Sequence, residues 1–190
     1  MQNPPKFFVK KPCLRPTLTP YNLTYQLIGK GVTNLKRILI AGPLDTTSQA
    51  FVRQLSKNTV LDLTVYTPSD VTLPAGITGF TGENLDEGGL SAAMLDQDMV
   101  VALAPTIHLT EIVQTVITAA QAVAVPRVLV SRTDDIEDLP GELRAAQRTL
   151  MTSGIAADLL EGLGSVSAML GVAPVPAEAV PLLDEQRFAG

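Results

Sequence analysis

Residues 37–48 decide the fold prediction, and they read Arg-Ile-Leu-Ile-Ala-Gly-Pro-Leu-Asp-Thr-Thr-Ser. The uninterrupted apolar run at 38–41 stops at Gly42-Pro43, which is typical of a short buried strand that ends in a tight turn. The polar side chains at 45–48 are residue types that cap the first turn of a helix. The stretch therefore predicts a strand, a glycine-containing turn and a helix, the start of a parallel βαβ unit.

The same alternation continues along the chain. Strands are predicted at 37–41, 61–66, 77–80, 98–103 and 127–131, with a sixth apolar run at 166–170, and helices at 48–56, 84–95, 111–124 and 142–162. Connections long enough to hold a helix join parallel strands in a right-handed sense. The prediction is an α/β fold: a single domain built on a doubly wound, Rossmann-like parallel sheet of about six strands.

Charge divides the 190 residues unevenly. Residues 1–37 contain seven Lys or Arg and no Asp or Glu, whereas residues 38–190 contain seven Lys or Arg against nineteen Asp or Glu. The acidic part argues against a nucleic-acid surface, which needs clustered cations. No apolar run reaches the ~18 residues of a membrane span. A single cysteine, Cys13, excludes an internal disulfide, so a reducing, cytoplasmic location is expected.

These features predict three segments. Residues 1–34 form a basic, proline-rich extension that we interpret as disordered, residues 35–171 form the domain, and residues 172–190 form a proline-containing tail. An alternative hypothesis is that residues 1–31 come from an over-extended gene start, since the regular pattern begins abruptly at Val32, which a GTG triplet can encode. Recovery of peptides from residues 1–30 of the native protein would exclude that hypothesis.

Five stretches follow one another between residues 35 and 171: RILIAG, LTVYT, TGENLDEGGLSAAMLDQDMVV, VITAAQAVAVPRVLVS and ADLLEGLG. In this order they resemble the atypical short-chain dehydrogenase group, and within it the NmrA-like branch. The resemblance implies a Rossmann fold that binds NAD or NADP, in proteins of which some reduce substrates and others only sense the cofactor. The cofactor contacts that it implies are Gly42, Pro43, Leu44, Asp45, Thr46, Thr67, Ser69, Glu83 and Ala104.

The glycine signature of that branch, Gly-Ala-Thr-Gly-x-x-Gly, is incomplete in this chain. Gly42 matches the first glycine, but Asp45 and Ser48 occupy the second and third glycine positions. A carboxylate there repels a pyrophosphate and competes with it for the amides at the helix N-terminus. Either residues 45–48 only cap the helix, or the nucleotide site is altered, so NAD or NADP binding is expected to be weakened or lost.

The conventional catalytic pair of short-chain dehydrogenases, Tyr-x-x-x-Lys, cannot be present because no tyrosine follows Tyr66 and no lysine follows Lys57. Ser131 fits the serine position of these enzymes, and His108 with Glu111 could serve as a base. A Ser131–His108 pair completed by Asp134 or Asp135 is a weak alternative, since no Gly-x-Ser-x-Gly frames the serine. The acidic residues at 134–138 are interpreted as a solvated loop, so no metal site is predicted.

The function expected is therefore that of a nucleotide sensor or binding module on an NAD(P)-binding fold. One alternative is an NAD(P)H-dependent oxidoreductase without the Tyr-Lys pair, and another is a structural or dimerising protein with an empty crevice. The expected partners are a small-molecule nucleotide and a second copy of the chain, and neither a membrane nor a nucleic acid. Gly171-Val172, in place of the Arg-Pro pair that follows the sixth strand in the family, weakens the enzyme alternative.

Overall fold

The computed structural model describes residues 36–68, 71–83, 85–133 and 139–173. Strands and helices alternate along these ranges, as the apolar periodicity predicts. The strands are β1 (Lys36–Ala41), β2 (Leu61–Thr67), β3 (Thr78–Thr81), β4 (Met99–Ala104), β5 (Arg127–Arg132) and β6 (Ala156–Glu161). The helices are α1 (Thr46–Leu55), α2 (Glu87–Met94), α3 (Leu109–Ala122), α4 (Pro140–Thr152) and α5 (Gly162–Leu170).

The six strands form one parallel sheet in the order β3-β2-β1-β4-β5-β6. From β1 the chain proceeds outward to β3, then returns to the other side of β1 and proceeds outward again from β4 to β6. This order confirms the doubly wound, Rossmann-like α/β fold. It also places a topological switch point between β1 and β4, which is where such sheets bind ligands at the carboxyl ends of their strands.

Apolar side chains cover both faces of the sheet. On one face, Leu39 and Val100 pack in a cluster with α2, α3 and α4. On the other face, Ile40 and Val101 pack with α1 and α5. Burial on both sides explains why β1 and β4 are continuous apolar runs with no polar alternation. All six residues of β4 are buried.

The prediction for residues 142–162 is wrong. A single helix was expected there, but α4 ends at Thr152 and the chain turns through Gly154, whose φ is +75°. Residues Ala156–Glu161 then pair with β5 as strand β6. The run at 166–170, expected as the sixth strand, belongs to helix α5.

The sixth strand ends earlier in the chain than the sequence predicts, at Glu161. The residues that follow β6 are Gly162 and Leu163, so Gly171-Val172 is not the pair to compare with the Arg-Pro of the family. Gly162-Leu163 is also not an Arg-Pro pair. Helix α5 forms despite its two glycines because Leu163 and Val166 pack into the apolar cluster of its face.

Helix α2 begins later than predicted. Its N-cap is Asp86, whose carboxylate accepts a hydrogen bond from Gly89 N, and its first residue is Glu87. Asn84, the predicted start, lies outside the described residues, as does the acidic segment 134–138. Within the described ranges, no helix is long and apolar enough to cross a membrane.

Candidate functional site

The carboxyl edge of β1 carries the glycine turn that the sequence singles out. Gly42 has a φ of +131°, a backbone conformation that side chains rarely allow. Its N–H donates to the carbonyl of Tyr66 at the end of β2, with an N···O distance of 2.8 Å. The turn is therefore fixed to the neighbouring strand. Pro43 and Thr46 are exposed beside it, whereas Leu44 is buried in the core beneath α1.

Asp45 is the N-cap of α1. Its Oδ1 accepts hydrogen bonds from Ser48 N at 2.7 Å and from Ser48 Oγ at 2.6 Å. This is the arrangement that the capping interpretation predicts. The carboxylate thus accepts a hydrogen bond from one of the backbone N–H groups that would otherwise bind a pyrophosphate at such a helix N-terminus. An anionic ligand at this turn would meet a negative charge already in place.

The end of β2 packs against the start of α2 through Tyr66. Its hydroxyl donates to Asp86 Oδ2 at 3.3 Å, while Asp86 Oδ1 caps α2. Burial, and then the charge and the hydrogen bond of Asp86, raise the pKa of the Tyr66 phenol. A Cβ added at Gly82 would overlap the phenol ring, so close packing on Tyr66 explains this glycine. Glu83, one of the cofactor contacts that the resemblance implies, is exposed.

The start of α3 is capped by a residue of α4. Glu142 Oε2 accepts a hydrogen bond from Thr110 N at 3.0 Å, and Thr110 Oγ1 donates to the backbone carbonyl of Glu142 at 3.3 Å. Thr110, first through its side chain and then through its backbone N–H, lowers the pKa of the Glu142 carboxyl. The helices that follow β1, β3 and β4 are thus each capped by a carboxylate of the chain itself, from Asp45, Asp86 and Glu142.

Thr67, another of the cofactor contacts that the resemblance implies, ends β2. The residue is 5% exposed, and its Oγ1 is buried without a hydrogen-bond partner. Thr67 also lines a cavity of about 330 Å³, together with Thr72, Thr81 and apolar side chains beside the edge strand β3. Ser69, the other contact implied here, lies outside the described residues. Ala104 is buried in the core at the end of β4.

The two candidate catalytic residues are not joined. Ser131 is fully buried, and its Oγ donates to the carbonyl of Arg132 at 3.3 Å. His108 adopts a left-handed backbone conformation before α3, and its exposed imidazole Nδ1 lies 3.5 Å from Glu111 Oε2. In the part of the chain that the structure describes, no hydrogen bond or ion pair connects Ser131 to His108. Asp134 and Asp135 lie outside that part.

No group of three or more metal-ligating side chains occurs among the residues that the structure describes.

Sequence reasoning missed one charged residue of this edge. Arg132 is the last residue of β5, and its Nε is buried without a hydrogen-bond partner. Its position directly after the predicted strand 127–131 was the available signal, because the carboxyl ends of parallel strands meet where ligands bind. The capping roles of Asp86 and Glu142 were also missed.

Comparisons with solved structures identify proteins of the same fold. A Rossmann-fold NAD(P)-binding family protein from Shigella flexneri is 23% identical, with a TM-score of 0.60 over 67% of this chain and 66% of that chain. A short-chain dehydrogenase/reductase from Veillonella parvula, solved in complex with NADP, is 17% identical, with a TM-score of 0.52 over 66% and 68%. An NADPH-dependent quinone oxidoreductase from Escherichia coli, complexed with NADPH, is 21% identical, with a TM-score of 0.54 over 65% and 48%.

These likenesses establish the fold, at identities too low to transfer a reaction. The chain spans about half to two thirds of the length of these structures. No protein-family model and no curated protein sequence matches the chain.

Proposed function

We propose that this chain binds an NAD(P)-type dinucleotide weakly, at the carboxyl edge of β1 and β4, and serves as a nucleotide sensor or binding module. The observation that carries the proposal is the turn at Gly42, which lies at the switch point of a doubly wound sheet. Two neighbours in fold are complexes with NADP and NADPH. The order of the sequence motifs favours the NmrA-like branch of the atypical short-chain dehydrogenases.

The weakness follows from Asp45. Its carboxylate accepts the Ser48 N–H that would otherwise be available to the pyrophosphate. A bound dinucleotide places two further negative charges near this turn, and like charges a few ångströms apart repel one another even where water screens them. The site is thus expected to favour micromolar or weaker binding over the tight retention of a cofactor.

A sensor is favoured over a dehydrogenase because the Tyr-Lys pair that short-chain dehydrogenases use for proton transfer is missing. No tyrosine follows residue 66 and no lysine follows residue 57. The serine at the position of the catalytic serine, Ser131, is fully buried and hydrogen-bonded to the backbone. Carbonyl reduction needs a proton donor within hydrogen-bond reach of the substrate oxygen. Nucleotide binding needs none of these groups.

The test is a titration of the full chain with NADH and with NADPH, followed by calorimetry and by thermal unfolding. A ligand at 100 times its Kd stabilises the folded state by about 2.7 kcal/mol, which gives a measurable rise in Tm. We expect Asp45→Asn to bind about tenfold more tightly than the parent chain, because asparagine caps a helix as well as aspartate does but carries no charge.

Asp45→Ala serves as the matched control. It removes the charge together with the cap, so its Tm without ligand should fall by the equivalent of ~0.5–2 kcal/mol, while Asp45→Asn keeps the Tm of the parent. Absence of any ligand-induced shift in both the parent and Asp45→Asn would contradict nucleotide binding and would leave the structural or dimerising alternative.

A further inference from the structure

Arg132 lies on the carboxyl edge of the sheet, at the end of the strand next to β4. It is the last residue of β5 and pairs in register with Ala104, the last residue of β4. The next residue, Thr133, donates its N–H to the carbonyl of Ala104 at 3.1 Å, so both strands end together. Arg132 therefore lies one strand away from the switch point between β1 and β4.

The face of the sheet on which Arg132 lies follows from the alternation of β5. Side chains of a strand alternate between its two faces, so Val128, Val130 and Arg132 lie on the same face. Val128 and Val130 pack in the cluster formed with α3 and α4. The guanidinium thus belongs to the side of the sheet where α3 begins. The N-terminus of α3 is already capped by Glu142, so that carboxylate is engaged with a backbone N–H.

Arg132 lacks the ionic partner that comparable arginines have. Arg37 in β1 pairs with Asp98 at 3.9 Å, and Arg127 at the other end of β5 pairs with Asp158 at 3.0 Å. Among the described residues, Arg132 takes part in no ion pair and no side-chain hydrogen bond, and its Nε is buried without an acceptor. A partly desolvated guanidinium without a partner reduces stability, because it loses hydration without a compensating contact.

We propose that Arg132 anchors an oxyanion, a carboxylate or a phosphate, of a small-molecule ligand that enters the crevice on the side of β4 and β5. A planar guanidinium presents two parallel N–H groups that match the two oxygens of either anion. The Nε itself is closed to solvent, so the ligand would bind the two terminal nitrogens of Arg132, which are not buried and have no acceptor among the described residues. The site shares the crevice of the proposed function, but the anion need not belong to a dinucleotide.

The test observes Arg132 directly. In the full chain, labelled with ¹⁵N, the Nε–H signal of Arg132 is assigned by its loss in Arg132→Met and is followed during separate titrations with inorganic phosphate, malonate and NAD. We expect a saturable shift of this signal at millimolar phosphate or malonate. Competition between NAD and phosphate would identify the phosphate of the nucleotide as the anion, and independent binding would identify a separate anionic ligand.

Two variants provide a second test, in which the affinity for the anion and the Tm without ligand are measured. Arg132→Met should weaken the binding of the anion by about tenfold or more, since a hydrogen bond to a charged group is lost. Its Tm without ligand should equal or exceed that of the parent, because an unpaired, partly buried charge is removed. Arg148→Gln makes the same change in net charge at an exposed position of α4 and should leave the binding of phosphate and malonate unchanged.

A structural role for Arg132 predicts the opposite pattern. If the Nε–H signal does not respond to phosphate, malonate or NAD, and if Arg132→Met lowers the Tm, the guanidinium serves an internal contact and the proposal fails. A silent Nε–H signal alone also overturns it. Because phosphate and malonate are titrated without nucleotide, this failure is distinguishable from a failure of dinucleotide binding.

Discussion

Gly82 is a residue at which packing leaves no room for a side chain. Its backbone lies against the phenol of Tyr66, and a Cβ there would overlap the ring and its hydroxyl. We expect Gly82→Ala to lower the free energy of unfolding by ~1–3 kcal/mol, because the buried ring must shift to relieve the overlap. Urea denaturation of the variant measures this loss.

Gly141 provides the control for that substitution. It lies in the first turn of α4, and a Cβ added there meets no atom within 4 Å. Gly141→Ala should leave the free energy of unfolding unchanged or raise it by up to ~1 kcal/mol, because alanine has the higher helix propensity. Equal effects at residues 82 and 141 would show that close packing on Tyr66 does not determine the glycine at 82.

At the scale of single residues, the sequence predicts contacts that are local in the chain. The cap of α1 by Asp45 was predictable because the hydrogen bond joins Asp45 to Ser48, only three residues later in the chain. The cap of α3 by Glu142 was not, because Thr110 and Glu142 are separated by 32 residues and meet only in the folded domain. Burial of Ser131 results from helices that cover both faces of β5, and these contacts exist only in the folded domain.

The contact between α3 and α4 is an interaction of two elements, and it predicts a dependence on pH. The pKa of Glu142 is lowered in the folded state, so its carboxylate stabilises the domain at pH values above the usual glutamate pKa of about 4.3. The stabilisation is lost as the pH falls through the lower pKa of the folded state. We expect Glu142→Gln to have a lower Tm than the parent at pH 7.

That difference in Tm should narrow as the pH falls below about 4. It should vanish at a pH where Glu142 of the parent is protonated in both the folded and the unfolded state. Thermal unfolding from pH 7 to pH 3 measures it. Glu161→Gln is the control, because Glu161 precedes α5 without a side-chain capping hydrogen bond. A difference between Glu142→Gln and the parent that stays constant over this pH range would contradict a role of the ionised carboxylate.

Among the elements, strands β1 and β4 were predictable because their apolar runs are continuous and end at turn residues. Strand β2 was predictable from its β-forming residues before Thr67-Pro68, and β5 from its short apolar run at 128–130. Strand β6 was not, because it is an edge strand with a partly exposed, mixed sequence, Ala-Ala-Asp-Leu-Leu-Glu, that also suits a helix. The turn before it depends on contacts of Ser153, whose carbonyl accepts a hydrogen bond from Gln121 of α3 at 2.7 Å. Tertiary structure therefore overrides the local helical pattern.

For the whole molecule, the acidic charge predicts how salt affects nucleotide binding. Residues 38–190 contain nineteen acidic and seven basic residues. At low ionic strength their field repels an anionic ligand, and salt shortens the range of this repulsion to ~8 Å at 0.15 M. We expect the affinity for NADPH to rise between about 20 and 150 mM NaCl, and to rise more than the affinity for NADH.

Adenosine, which is uncharged, provides the control, because its affinity should not change with salt over the same range. A loss of NADPH affinity with added salt would indicate instead that cations dominate the site, as they do in proteins that bind polyphosphates through lysine and arginine.

The pairing of β1 with β4 also determines when the crevice can exist. Ile38 lies beside Met99, about 60 residues later in the chain, whereas the neighbouring pair β1 and β2 is much closer in sequence. Pairings between distant segments form slowly because a long loop must close first. During synthesis, β4 must leave the ribosome before the switch point is assembled. Occupancy of the crevice would therefore mark a chain in which the strand pair most distant in sequence has formed.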